Sequence, residues 1–169
     1  ALLTKRGKDV DLRKVRALTT MANITTVHQA EPAGLGHAVL MAKTVVDDGA
    51  FAVALADDVI DADPPALRQM VQVFNEVNNP VILVERVPHE ATGRYGIIDA
   101  VPAGNGVFQV KNLVEKPDPS HAPSNLAIIG RYILTRDIFE TLEQTNQDAN
   151  GELQLTDSLQ LLLERRPLY

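Results

Sequence analysis

Two hydrophobic patterns alternate along this chain, and each predicts a different element. "FAVALA" (51–56), "VILVERV" (81–87) and "LAIIGRYIL" (126–134) are short runs of mostly apolar residues, as expected of strands covered on both faces. "ITTVH" (24–28) is β-branched and shorter, and predicts another strand. "YGIIDAV" and "VFQVKNLVEK" flank "PAGNG" and predict a hairpin. Elsewhere the apolar positions recur at helical spacing. Leu12, Val15 and Leu18 do so within a charged first segment, and Leu35, Ala38, Val39, Ala42, Val45 and Val46 follow a glycine pair. Asp63 with Pro64 and Pro65 predicts a helix start and a helix to Val77. Thr135 predicts the cap of a helix through Gln144. A last stripe, Leu155, Leu159, Leu162 and Leu163, predicts a helix capped by Thr156 or Asp157.

Strands alternating with helices predict an α/β fold, a Rossmann-like sheet with helices on both faces. The hairpin adds antiparallel character, so a mixed sheet is expected. The 169 residues are the size of one domain, and 45% hydrophobic residues suffice for a sizeable core. No internal repeat, low-complexity tract or linker divides them.

Charge and composition remove several functions. A net charge of -6 argues against a nucleic-acid footprint, which needs a basic face. The absence of cysteine excludes disulfides, zinc–thiolate sites and cysteine nucleophiles. No apolar run reaches the roughly 18–20 residues of a membrane span. A soluble, cytoplasmic protein is the expectation, and small anionic ligands are not excluded.

Ligands of open α/β sheets bind beyond the carboxyl ends of strands, and three unusual clusters fall there. In "QAEPAGLGHA", Gly34 and Gly36 either admit a ligand close to backbone or only shape a strand-to-helix turn. Gln29 offers donor and acceptor to a base edge. His37 in the same segment is read as a partly buried, hydrogen-bonded histidine. Asp57 and Asp58 follow a strand, where one carboxylate can share Mg²⁺ with substrate phosphates, or where both are solvated. Glu115 and Lys116 end another strand before Pro117. Pleat alternation points neighbours to opposite faces, which predicts that these two do not form a simple salt bridge: either they are a solvated strand end, or both serve something bound there. Gly96, after Tyr95, either admits a ligand or forms a turn.

Taken in order, "HQAEPAGLGHAVLMA", "VALADDVID", "RYGIID", "LVEKPDPSHAPSNLAIIGRYIL" and "GELQLTD" resemble the bacterial UTP–glucose-1-phosphate uridylyltransferases, within the sugar-phosphate nucleotidyltransferase superfamily. The "EKP" element also resembles thymidylyl- and adenylyltransferases, whereas "GLGHA" with "APSNLAIIGRY" favours the uridylyl branch. The resemblance implies transfer of UMP from UTP to glucose 1-phosphate, yielding UDP-glucose and pyrophosphate with Mg²⁺. Carried over by position, Gln29 and the backbone at Ala30 would read uracil, and Gly34 would lie against the nucleotide. Asp57 would bind Mg²⁺, with Asp58 beside the ribose or sugar. Gly96 and Glu115 would hold glucose hydroxyls, and Lys116 the sugar phosphate.

Ala30 and Ala56 stand where the family often has glycine and proline. The family also opens with a strand and a "GxGTRxxPxTK"-type loop, and later carries an aspartate in a "D-x-G-x-x-x-G" setting. Neither segment occurs in this sequence. The expectation is therefore one partial nucleotidyltransferase domain over residues 1–169, inactive alone and prone to homo-oligomerise through exposed sheet. A catalytically silent sugar-nucleotide-binding module is the rival of another class. An NAD-binding domain fails, because it requires G-x-G-x-x-G directly after a strand.

Overall fold

A computed structural model of the chain describes residues 7–169. The first residues of the charged N-terminal segment, 1–6, and the side chains of Leu18 and Thr19 lie outside the described residues. Helix α1 spans Asp9–Thr19, with Val10 and Val15 about half exposed.

The sheet is built around β5 (Leu126–Thr135). β1 (Ala50–Ala54) and β2 (Val81–Arg86) pair with it, while β3 (Gly96–Gly104) pairs with β5 and with β4 (Val107–Glu115). Each of these pairings is antiparallel. β2 and β5 are buried on both faces: in β2, Ile82 enters the larger core and Val81 the smaller one. Tyr132 and Leu134 enter the larger core, and Ile133 between them enters the smaller one, as the two-residue period requires.

Helices cover both faces. On one, α4 (Ile138–Gln144) and α5 (Leu155–Leu163) bury Phe139, Leu142, Leu159 and Leu162 against β4 and β5, and Phe51 of β1 stacks on Phe139 at 5.3 Å. On the other, α3 (Ala66–Val77) places Met70 against Val81 and Ile133. Helix α2 (Leu35–Met41) packs Val39 into the larger core and tightens into a 3₁₀ turn at Ala42–Thr44, short of the predicted Val46.

Five local expectations are corrected. Residues 24–28 form no strand; Ile24 is 78% exposed, and β-branched residues hold a strand only where a neighbouring ladder receives them. β1 is not covered on both faces. Ala50, Ala52 and Ala54 are exposed while Phe51 and Val53 are partly buried, since alanine keeps a run apolar without requiring burial. Thr135 ends β5 instead of capping α4, whose N-cap is Asp137. Likewise Gln154, not Thr156 or Asp157, is the N-cap of α5, which frees both side chains for other contacts. Helix α3 also begins later than predicted, at Ala66 with Pro65 as N-cap.

Candidate functional site

The antiparallel register places Gly96, at the start of β3, opposite Glu115, at the end of β4. Asp58 follows β1 and reaches the same place from the other side. Its carboxylate lies against Gly130, whose φ of 51° and missing side chain leave room for it. Arg131 fixes this loop by donating to the carbonyls of Leu55 (2.7 Å), Gly130 (2.9 Å) and Asp58. Asp58, Gly96, Glu115 and Gly130 border a cleft of about 170 Å³, which Arg94, Tyr95, Tyr132, Gln154 and Thr156 also line.

Glu115 is the best-anchored acid of the cleft. Thr156 Oγ1 donates to its Oε2 at 2.6 Å, and Lys116 Nζ lies 3.3 Å from its Oε1. The predicted separation of Glu115 and Lys116 is therefore wrong. β4 ends at Glu115, and Lys116 adopts φ 44°, so strand alternation stops one residue early and the lysine folds back beside the acid. Its amide still donates to Tyr95 O at 3.0 Å, which holds the left-handed residue in place.

Beyond Glu115 the surface opens into a second depression lined by Lys116, Asp148, Asn150, Glu152, Gln154 and Asp157. Hydrogen bonds from the Gln154 side chain and the Glu152 amide hold the Asp148 carboxyl below its ordinary pKa. Partial burial, then the nearby Glu115 and Asp148 charges, push Asp157 upward. Burial, with Glu115 and Asp58 nearby, also pushes the Tyr132 phenol well up. Negative potential thus concentrates around Glu115, with Lys116 as the adjacent cation.

The glycine-containing segment approaches from a third side. Leu153 N donates to Ala33 O and Gly36 N donates to Leu153 O, each at 2.8 Å. Gly34 has φ 92°, and a Cβ there would stand 2.8 Å from Leu153 O, so both its conformation and its packing require glycine. The Gln29 amide nitrogen reaches Gly34 O at 3.2 Å and His37 Nδ1 at 2.9 Å. His37 is thus half-buried and hydrogen-bonded, as its position predicted.

The structure therefore gathers Asp58, Gly96 and Glu115 into one cleft, with Lys116 at the adjoining depression. Leu35 beside Gly34 lines the cleft, but Gln29, Ala30 and Asp57 do not. Asp57 is exposed. Thr156, Gln154, Asp148, Asp157 and Tyr132 were not predicted as site residues. Their signal was membership of quoted motifs: Gln154, Thr156 and Asp157 lie in "GELQLTD", and Tyr132 in "LVEKPDPSHAPSNLAIIGRYIL".

Comparison with known proteins places this arrangement among relatives. The nucleotidyl transferase family model matches residues 2–169. The chain is 46% identical over 167 residues to a UTP–glucose-1-phosphate uridylyltransferase of Bacillus subtilis (strain 168), covering 99% of this chain and 57% of that protein. It is 44% identical over 168 residues to the enzyme of the same name from Staphylococcus haemolyticus (strain JCSC1435), covering 99% and 58%. The chain thus spans less than two thirds of the length of these curated relatives. Among solved structures, a UDP-glucose pyrophosphorylase complexed with UDP-glucose matches with TM-score 0.90 and 38% identity over 96% of this chain and 64% of that one. A UTP-bound enzyme from Acinetobacter baumannii matches with TM-score 0.82 and 33% identity, covering 99% and 60%.

Proposed function

This chain belongs to the nucleotidyl transferase family, and on that premise we propose that the whole protein transfers UMP from UTP to glucose 1-phosphate, forming UDP-glucose and pyrophosphate. The observation that carries the reading is the pairing of an anchored acid with an adjacent cation. Glu115, fixed by Thr156, faces a cleft beside side-chain-free Gly96, while Lys116 stands at its edge. Such a pair suits a sugar phosphate, since the carboxylate accepts from hydroxyls and the ammonium neutralises phosphate. The names of the relatives supply the nucleotide.

In this reading a phosphate oxygen of glucose 1-phosphate attacks the α-phosphorus of UTP. A new P–O bond forms as the α–β bridge breaks, and pyrophosphate leaves with the electron pair. No covalent enzyme intermediate is required, so positioning and charge neutralisation carry the rate. Lys116 balances the sugar phosphate, Glu115 and Gly96 seat the sugar, and Asp58 borders the sugar or ribose. Gln29 and the Ala30 backbone face uracil, with Gly34 against the nucleotide.

Mg²⁺ takes few protein oxygens and fills its shell with phosphate and water oxygens, and Asp57, a carboxylate exposed beyond β1, is the one we assign to it. When bound there the cation would neutralise charge on the triphosphate.

Self-association through β1 and its surroundings is part of the same proposal. Among the described residues β1 pairs with β5 alone, and one of its faces, Ala50, Ala52 and Ala54, is exposed. Open strand edges recruit other strands. No helix among the described residues is long and apolar enough to cross a membrane.

Titration of the full-length protein with UDP-, dTDP- and ADP-glucose tests the nucleotide assignment. Tighter binding of the uridine compound supports it; equal binding of all three, or preference for another, contradicts it.

A further inference from the structure

We propose that Thr156 is a positioning residue that fixes Glu115 for the sugar phosphate, and that glycine at position 96 exists to let it do so. The inference rests on the reading of Glu115 as a sugar-phosphate contact. Thr156 sits in the first turn of α5 and is 7% exposed. Threonine there usually serves the helix itself, yet the N-cap is Gln154 and the Thr156 hydroxyl points across to the sheet, 2.6 Å from Glu115 Oε2. That length is typical of a charge-assisted O–H···O⁻ bond.

The space for this bond is reserved. A Cβ at Gly96 would stand 2.8 Å from Thr156 Oγ1, 3.2 Å from Glu115 Oε2 and 3.2 Å from Ile128 Cδ1. An alanine would therefore push the hydroxyl and the carboxylate apart at the point where they meet. Gly96 is not at positive φ, so its backbone does not require glycine; the crowding does.

The carboxylate is thereby divided between two partners. Thr156 takes Oε2 from the helix side and Lys116 approaches Oε1 from the strand end. An ionised carboxylate has about four acceptor sites, so two partners leave capacity directed at the cleft. Without Thr156, Lys116 is the acid's one remaining side-chain partner among the described residues, and that lysine is about half exposed. Glu115 would then swing with it, and the sugar would meet an acceptor in variable positions.

The test is steady-state kinetics in the full-length protein on Thr156→Val, Thr156→Ser and Glu115→Gln. Thr156→Val keeps the shape and removes the donor. We expect it to raise the KM for glucose 1-phosphate about tenfold, the scale of losing a hydrogen bond to a charged group, and to leave the KM for UTP within about twofold. Serine, which restores the hydroxyl, is expected to restore KM to within about threefold. Combined with Glu115→Gln, Thr156→Val should add less than about twofold, because residues acting as one unit are not additive.

An unchanged KM in Thr156→Val beside a raised KM in Glu115→Gln would overturn the positioning role while leaving the sugar role of Glu115 intact. An unchanged KM in Glu115→Gln would instead overturn the sugar role itself. If the valine variant does not fold, Thr156→Ala against Thr156→Ser makes the same comparison, and equal KM values in those two would contradict the proposal.

Discussion

Lys116 Nζ lies 3.3 Å from Glu115 Oε1 although the two residues are neighbours at the end of a strand. A continued strand would have kept them on opposite faces. The left-handed backbone of Lys116 brings them to one side, so the cation and the acid can serve one bound molecule from adjacent points.

From this pairing follows a division of kinetic effects. Lys116→Ala in the full-length protein is expected to lower kcat by about 10²- to 10³-fold, the scale of losing one group aimed at transition-state charge. Glu115→Ala is expected chiefly to raise the KM for glucose 1-phosphate. Equal and small effects in both variants would reduce the pair to a solvated strand end.

Gly36 is buried against Leu153, where an added Cβ would stand 2.6 Å from the Leu153 carbonyl. A backbone atom cannot swing aside as a side chain can. Gly36→Ala should therefore destabilise the chain by about 1–3 kcal/mol, as overpacking does, read as a lower urea midpoint. An unchanged midpoint would show that the loop and the 152–154 segment are not locked together.

Leu159 is fully buried between α5 and the sheet. Leu159→Ala should cost about 2–5 kcal/mol by urea denaturation, whereas Val71→Ala, at an exposed position of α3, should stay within about 0.5 kcal/mol. Comparable losses at the two positions would contradict the described core.

Asp157 supplies a pH test. Partial burial and the charges of Glu115 and Asp148 raise its folded pKa, so the folded state binds its proton more readily than the unfolded state. Stability linked to this group is present at low pH and is lost as pH rises from the ordinary aspartate range through the raised value. Asp157→Asn removes that loss. It is expected to be more stable than the parent at neutral pH, with the difference vanishing below the ordinary aspartate range. Urea midpoints at the two ends of that range measure it, and an asparagine variant less stable at neutral pH would contradict the cause assigned.

Much of this arrangement was legible in the sequence because it is local. The apolar runs marked β2 and β5, "PAGNG" marked the hairpin, and the leucine stripe marked α5. The segment at 24–28 misled because β-branched residues report a preference for extended backbone, not the presence of a neighbouring strand. β1 misled because alanines read as core whether or not anything covers them. At the cleft, Glu115, Lys116, Gly96 and Asp58 were singled out beside strand runs, and the fold brings Asp58, Gly96 and Glu115 together with Lys116 at the adjoining depression. Thr156 was not, since its partner Glu115 is 41 residues away in sequence and nothing local distinguishes it from a helix cap. The pleat argument failed at Lys116 for a related reason. The sequence shows a proline after it but not the left-handed turn that the proline follows.

The most direct measurement is pyrophosphate release by the full-length protein supplied with Mg²⁺, glucose 1-phosphate and, in turn, UTP, dTTP and ATP. The highest kcat/KM is expected with UTP, with UDP-glucose as the second product. No turnover with any triphosphate, or a preference for dTTP or ATP, would contradict it.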